Sequence, residues 1–262
     1  MRKRIFIYSI FILVGLATLL FAGTIREHLD ETFKLQRGSK VVLSNTNGNV
    51  IIESWNRDEV RIRAEKIVRA NDRRTAEKIM DEIEIEIDSK MDFLRIDTYI
   101  PRRQNGFWGA IFGENAQVRV EYRLLVPEKV DLEIGTVNGR VSIAEVTGEI
   151  EVHSTNGRIE IAKARGSVQA KTTNGGIEVE LLNFDQGEDM TFKTTNGSIR
   201  VYLPAAFSAF VDARTTNGSI RTDFPIKVRG EISRRRLRGS INRGGGHLSL
   251  HTTNGSIKIL ER

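Results

Sequence analysis

Five groups of residues have the types and spacing to do chemistry. Glycines recur every nine residues at Gly139, Gly148, Gly157, Gly166 and Gly175. Glycine-rich nonapeptides of this kind hold calcium when an Asp stands two residues after a glycine in each turn. Here that position carries Val141, Ile150, Ile159, Val168 and Ile177, whose side chains offer no oxygen to a hard cation. Glu82, Glu84, Glu86 and Asp88 alternate with isoleucines, so a strand would place all four on one face; an acid–base pair needs that, but so does any solvated face, which is the expectation. His247 and His251 would share a strand face with Ser249, yet lie about 13 Å apart at strand rise, too far for one metal. Arg234, Arg235, Arg236 and Arg238, with Arg243, form the densest positive cluster, suited to lipid headgroups or envelope phosphates and equally to a solvated corner. Last, Phe107, Trp108, Ile111 and Phe112 stand among glycines in a stretch that reads as a loop, either a contact patch for a partner or membrane surface or a flap over strand edges.

The absences narrow the classes. There is no cysteine, hence no disulfide framework, thiolate metal site, Cys nucleophile or lipidated cysteine. Gly-x-Ser-x-Gly, Walker and His-Glu-x-x-His motifs are missing. Asn-Gly-Ser at Asn196, Asn217 and Asn254 matches a glycosylation acceptor, but the match follows from the repeat itself. The expectation is a chain with no catalytic residues, metal or cofactor.

What must position these residues is the repeat. After each glycine the second and fourth residues are mostly apolar, as in Ile159 and Ile161 or Ile177 and Val179, the period-2 mark of half-buried strands. Every second glycine follows an Asn, so the full unit is eighteen residues with two unequal corners. One strand and one corner per nine residues predicts a β-solenoid, a flattened β-helix or β-roll whose units bury apolar faces by stacking; a run of Asn-Gly hairpins is the alternative. The predicted corners are Asn47-Gly48, Asn138-Gly139, Asn156-Gly157, Asn174-Gly175, Asn196-Gly197, Asn217-Gly218 and Asn254-Gly255. Glycine there is expected to supply positive φ, and the asparagines to stack as an amide ladder. The residue three before each glycine is usually Ser or Thr (Thr136, Ser154, Thr172, Thr194, Thr215, Thr252), predicting a hydroxyl ladder. In the last gap, Gly230, Gly239, Gly246 and Gly255 fit two further half-coils.

Along the chain, Met1-Arg2-Lys3-Arg4 followed by the uncharged, largely apolar Ile5 to Ala22 reads as an export signal over 1–24, a cleaved signal peptide or a retained membrane anchor helix; the basic residues precede it, which puts the body outside the cytoplasm. Without 1–24 the net charge falls from +6 to +3, too mild to imply nucleic acid. Residues 25–39 read as a polar spacer. Residues 40–134 read as a β-rich capping part with a short helix near 72–82, capped by Asn71 or Asp72. Residues 135–262 read as the repeat array.

Residues 40–262 resemble a bacterial family of unknown function, the putative-adhesin domains. The likeness rests on the recurring Thr-x-Asn-Gly-x-Ile units, on Val118 to Pro127 before the array, and on Phe224-Pro225-Ile226, Arg238-Gly239-Ser240-Ile241 and Gly244-Gly245-Gly246. Asn242-Arg243 departs from it, standing where a small residue is expected. The resemblance implies an exported β-solenoid and brings no catalytic residues. The functional expectation is a non-enzymatic envelope protein, an adhesin or assembly scaffold whose partners are envelope polymers, an anionic membrane surface or another envelope protein. An envelope-stress sensing or regulatory module is the rival of a different class, and a carbohydrate-active enzyme would need carboxylates clustered on one sheet face.

Overall fold

The computed structural model describes residues 23–100, 116–183, 187–228 and 233–262. In chain order its elements begin with β1 (Thr24–Lys34), β2 (Ser39–Asn47), β3 (Val50–Trp55), β4 (Glu59–Arg69), α1 (Arg73–Asp81), β5 (Glu84–Ser89), β6 (Phe93–Tyr99) and β7 (Gln117–Pro127). They continue with β8 (Val130–Asn138), β9 (Val141–Ala144), β10 (Ile150–Asn156), β11 (Ile159–Arg165), β12 (Val168–Asn174), β13 (Ile177–Asn183), β14 (Met190–Asn196) and β15 (Ile199–Leu203). The chain closes with β16 (Ala209–Asn217), β17 (Ile220–Thr222), β18 (Ile226–Val228), β19 (Arg236–Ile241), β20 (Gly246–Asn254) and β21 (Ile257–Glu261). The fold is mostly β, solenoid-like, with two long and largely parallel sheets: β1-β4-β7-β3-β9-β11-β13-β15-β21-β17 and β18-β19-β16-β20-β14-β12-β10-β8-β2-β6-β5.

The eighteen-residue period is visible in the register. Ile159 lies beside Ile177 and Val141, and Ile150 beside Val168 and Leu132. Each strand pair therefore forms one layer, with its Asn-Gly corner between the two sheets. The buried columns run the length of the stack: Val50, Val141, Ile159, Ile177, Ile199 and Ile257 on the first sheet, and Leu43, Ile134, Val152, Ala170, Phe192, Leu250 and Ala213 on the second. β-branched side chains suit such a pleated wall, and the fully buried Phe192 is accommodated by the small Ala170 beside it.

Both ends depart from simple stacking. Asn47 pairs directly with Asn138, so β2 and β3 form a layer of the same two sheets, and β4, β5, β6 and β7 extend those sheets beyond it. The stretch read as a spacer contains β1, an edge strand antiparallel to β4. Its Ile25, Leu29 and Phe33 pack on the core, while its charges meet those of β4: Asp30 accepts from Arg61 Nε and Nη2 at 2.7 and 2.6 Å. Those hydrogen bonds hold the Asp30 carboxyl below its usual range. The predicted helix is α1, capped by Asp72, whose carboxylate accepts from the Thr75 N–H at 2.9 Å, and anchored by buried Ala76, Ile79 and Met80. Tyr122 on the first sheet joins Thr98 on the second through hydroxyls 2.7 Å apart inside the core.

At the other end the half-coils expected from Gly239 and Gly246 do not form, and Gly230 lies outside the described residues. Instead β19 runs antiparallel along β16, β18 runs antiparallel along β19 at the sheet edge, and the last two strands return inward. β20 lies between β14 and β16, and β21 between β15 and β17. The C-terminal layer is thus an interior one. Asn242 makes the turn after β19 at φ 51°, a left-handed conformation that Asn tolerates, with its Nδ2 donating to the carbonyls of Phe207 and Ala205; this is how the chain manages without a smaller residue there.

Residues 1–22, where the export segment falls, and residues 101–115, with Phe107, Trp108, Ile111 and Phe112, lie outside the described residues. Among the described residues no helix is long and apolar enough to cross a membrane.

Candidate functional site

Two lines of residues run along the stack, one structural and one solvent-facing. The structural line is the corner. The asparagine side chains form a directional ladder in spatial order Asn47, Asn138, Asn156, Asn174, Asn196, Asn254, Asn217, in which each Nδ2 after the first donates to the Oδ1 of the preceding layer at 2.6–2.8 Å and that of Asn47 donates to the Val118 carbonyl. Beneath it Thr172, Thr194, Thr252 and Thr215 donate to the carbonyls of Gly157, Gly175, Gly197 and Gly255. Thr136 and Ser154 occupy the same place with buried hydroxyls that have no partner among the described residues.

The reason for glycine at the corners differs from the expected one. Gly48 and Gly139 have positive φ, but Gly157, Gly175, Gly197, Gly218 and Gly255 do not fall in the left-handed range. What excludes a side chain there is the layer beneath: a Cβ on Gly157 would overlap the Gly139 carbonyl oxygen, and one on Gly175 that of Gly157.

The solvent-facing line lies on the second sheet, one residue before the threonine ladder. His153 stands opposite Lys171, Lys171 opposite Lys193, Lys193 opposite His251, His251 opposite Arg214, and Arg214 opposite Arg236. Six basic side chains therefore stack in a single row at the strand spacing of about 4.8 Å, a length of about 24 Å. Like charges directly opposite one another destabilise a sheet, and little offsets them here. Lys171, Lys193 and Arg214 form no ion pair with any described residue. His153 has Glu151 at 3.7 Å, and the nearby Asp212 is taken by Arg238 at 3.0 Å. His251 Nε2 is shielded from solvent with no partner among the described residues. Burial lowers the pKa of that imidazole; Asp212 opposes the shift, and Lys193 and Arg214 reinforce it.

On the corner side the row is flanked by exposed Thr155, Thr173, Thr195, Thr253 and Thr216, and on the other side by half-buried Glu151, Gln169, Thr191, Ser249 and Asp212. The surface between these rows is a shallow groove that includes His153, Lys171, Lys193, His251 and Arg214. The outer face of the first sheet is mixed: Lys258 stands opposite Arg200 and Arg221, while the layers before it carry ion pairs. Glu178 accepts from Arg158 and Arg200 at 2.7 and 3.3 Å, and Arg158 also meets Glu160.

Of the residues singled out in the sequence, the arginine cluster contributes to this face. Arg236 closes the row, and Arg238 is paired across the strand with Asp212. Arg234 and Arg235 are exposed beside it and offer backbone carbonyls to Ile220 and Thr215. His247 stands apart from His251, tilted against Phe210 at 5.7 Å. Glu84, Glu86 and Asp88 are exposed on the edge strand β5 and Glu82 ends α1, with no site around them; charge on an edge discourages pairing with other chains. Among the described residues no group of three or more His, Asp or Glu is placed to hold a metal ion. The basic row itself escaped sequence reasoning, although a signal existed. It is the position four before the corner glycines from Gly157 onward, which reads His153, Lys171, Lys193, Arg214 and His251.

Comparison with known proteins bears on the same layers. The pattern of the Toastrack DUF4097 family matches residues 113–260, which contain every layer from β8 onward. The chain belongs to the Toastrack DUF4097 family. None of the curated proteins matches it. Among solved structures, a putative cell adhesion protein from Clostridium sporogenes is similar at 15% identity and a TM-score of 0.51, over 90% of this chain and 100% of that one. A putative adhesin from Parabacteroides distasonis aligns over 92% of this chain and 98% of its own at 8% identity and a TM-score of 0.34. The first likeness supports the fold of this Toastrack DUF4097 chain.

Proposed function

We propose that this Toastrack DUF4097 chain is a non-enzymatic, extracytoplasmic cell-envelope protein, an adhesin or assembly scaffold, that binds through the outer face of its second sheet. One observation carries the reading: a row of six stacked basic side chains in which Lys171, Lys193 and Arg214 form no ion pair with any described residue. A row like this serves an external anion. The basic, then apolar, sequence of residues 1–22 supports export and an exposed body. The adhesin-type names of structural relatives agree with a binding role. No constellation among the described residues offers a nucleophile with a base, or two carboxylates facing across a cleft, so the reading assigns no turnover.

The test is capture of envelope fractions by the full chain, purified in detergent and immobilised, beside a Lys171→Glu/Lys193→Glu/Arg214→Glu variant that melts at the same temperature. Retention by the parent and loss by the variant is the expected result. Equal retention by both, or measurable glycan cleavage by the parent, overturns it.

A further inference from the structure

The face has a chemistry more specific than positive charge, and resting on the reading above we infer that its ligand is a linear acidic polysaccharide carrying one carboxylate per sugar, laid along the stack. The basis is what each layer presents. In the middle of the face Lys171 is flanked by Thr173 and Gln169, Lys193 by Thr195 and Thr191, His251 by Thr253 and Ser249, and Arg214 by Thr216 and Asp212. The rows are held in register by the pairing of the asparagines on one side and the cations on the other. Each layer therefore offers one basic side chain between neutral donors and acceptors, an ammonium or guanidinium in three of them and the imidazole of His251 in the fourth, except that Asp212 is the acceptor in the Arg214 layer.

A uronate ring in an extended chain has the complementary set: one carboxylate, with hydroxyls to either side. Its length along the chain is roughly the layer spacing of about 4.8 Å, so the carboxylates turned toward the sheet recur every one or two layers along the row. A polyphosphate presents acceptor oxygens only, and has nothing to donate to acceptors such as Asp212 in the flanking rows. His251 adds, at the centre of the row, an imidazole whose covered Nε2 has no partner among the described residues. The groove is shallow and open along its length, which suits an extended chain lying on it. The row spans six layers, which sets the length of chain the face can engage.

The experiment titrates the full chain in detergent with defined oligouronates of increasing length, with the same oligomers methyl-esterified, and with polyphosphate. Affinity is expected to rise up to about six sugars and then level, since a chain of that length spans the row. Esterification, and the Lys171→Gln/Lys193→Gln double substitution, should each weaken binding by about tenfold or more, as expected for loss of charge-assisted contacts. Lys258→Gln on the outer face of the first sheet should leave it unchanged. Polyphosphate binding as tight as the longest oligouronate, or a double variant that binds like the parent, overturns the inference. Capture of envelope fractions that depends on the basic row, with no oligouronate binding, removes the polysaccharide and leaves the binding face standing. Failure of both removes the face as well.

Discussion

Replacing Gly157 with Ala tests the stacked-corner geometry most directly. The methyl carbon would overlap the Gly139 carbonyl oxygen, so the two layers must part at that corner. Three hydrogen bonds hold the corner between its neighbours: Gly139 N–H to the Asn156 carbonyl at 3.0 Å, Gly157 N–H to the Asn174 carbonyl at 3.0 Å, and Thr172 Oγ1 to the Gly157 carbonyl at 3.1 Å. Each contributes about 0.5–1.5 kcal/mol net, and forcing a methylene-sized group into packed surroundings costs about 1–3 kcal/mol. With the hydrogen bonds partly retained, the loss should be about 3–5 kcal/mol, a large part of the roughly 5–15 kcal/mol a domain has. Gly38 is the control, because it has φ +80° and open space where a Cβ would stand, with nothing within 4 Å. Asn, which tolerates that conformation, should cost under about 1 kcal/mol there. Urea unfolding followed by far-UV circular dichroism reads both as midpoint shifts at constant slope. A cost below about 1 kcal/mol for Gly157→Ala, or a Gly157→Asn variant more stable than Gly157→Ala, would refute the reasoning, since the second outcome would mean that backbone conformation and not space governs the site.

Three further outcomes follow from other parts of the fold. Tyr122→Phe leaves the Thr98 hydroxyl unpaired in the core and should cost about 1–3 kcal/mol, while adding Thr98→Val should recover part of the loss in a double-mutant cycle; a strictly additive cycle would count against the pair. Deleting residues 257–262 removes β21, with the fully buried Ile257 and Ile259, from between β15 and β17. Chain ends usually tolerate trimming, but this one should abolish the cooperative melt, and a truncated chain that melts normally would show that the layer is peripheral. Because the pKa of His251 is lowered on folding, the unfolded chain binds the extra proton first as pH falls. Stability is therefore undiminished above the unfolded value of about 6.5 and declines as pH falls through the folded value. His251→Gln should flatten that part of the stability profile, and an unaltered profile would show that the imidazole is not the group responsible.

The layers were legible because the nine-residue glycine spacing and the apolar positions two and four beyond it are both consequences of stacking. Ile159 and Ile177 fall in one column for that reason. The amide and hydroxyl ladders were legible too, since any residue repeated at the period is brought into register. The order of layers was not. Asn254 stacks between Asn196 and Asn217, and nothing local to residues 246–262 distinguishes an interior layer from a terminal one. β1 was hidden by its composition, because an edge strand facing β4 through ion pairs has the polarity of a linker. The basic row was hidden by chemistry: Lys, Arg and His are different letters, and only their common charge at a fixed offset from the corner exposes the pattern.

The corner also bears on how the molecule ages. All seven ladder asparagines precede a glycine, the pair in which the glycine nitrogen most readily closes on the side-chain carbonyl carbon to give a succinimide and then an aspartate. In the stack that attack is hindered on both sides: from Asn138 to Asn254 the amide is held between neighbouring amides, and the following glycine N–H is committed to the adjacent layer, as Gly157 is to Asn174. Deamidation would then be slow in the folded chain and fast in an opened one, and each aspartate formed would return a carboxylate where a donor is needed. Damage of this kind would keep a chain that has once unfolded from closing its corners again.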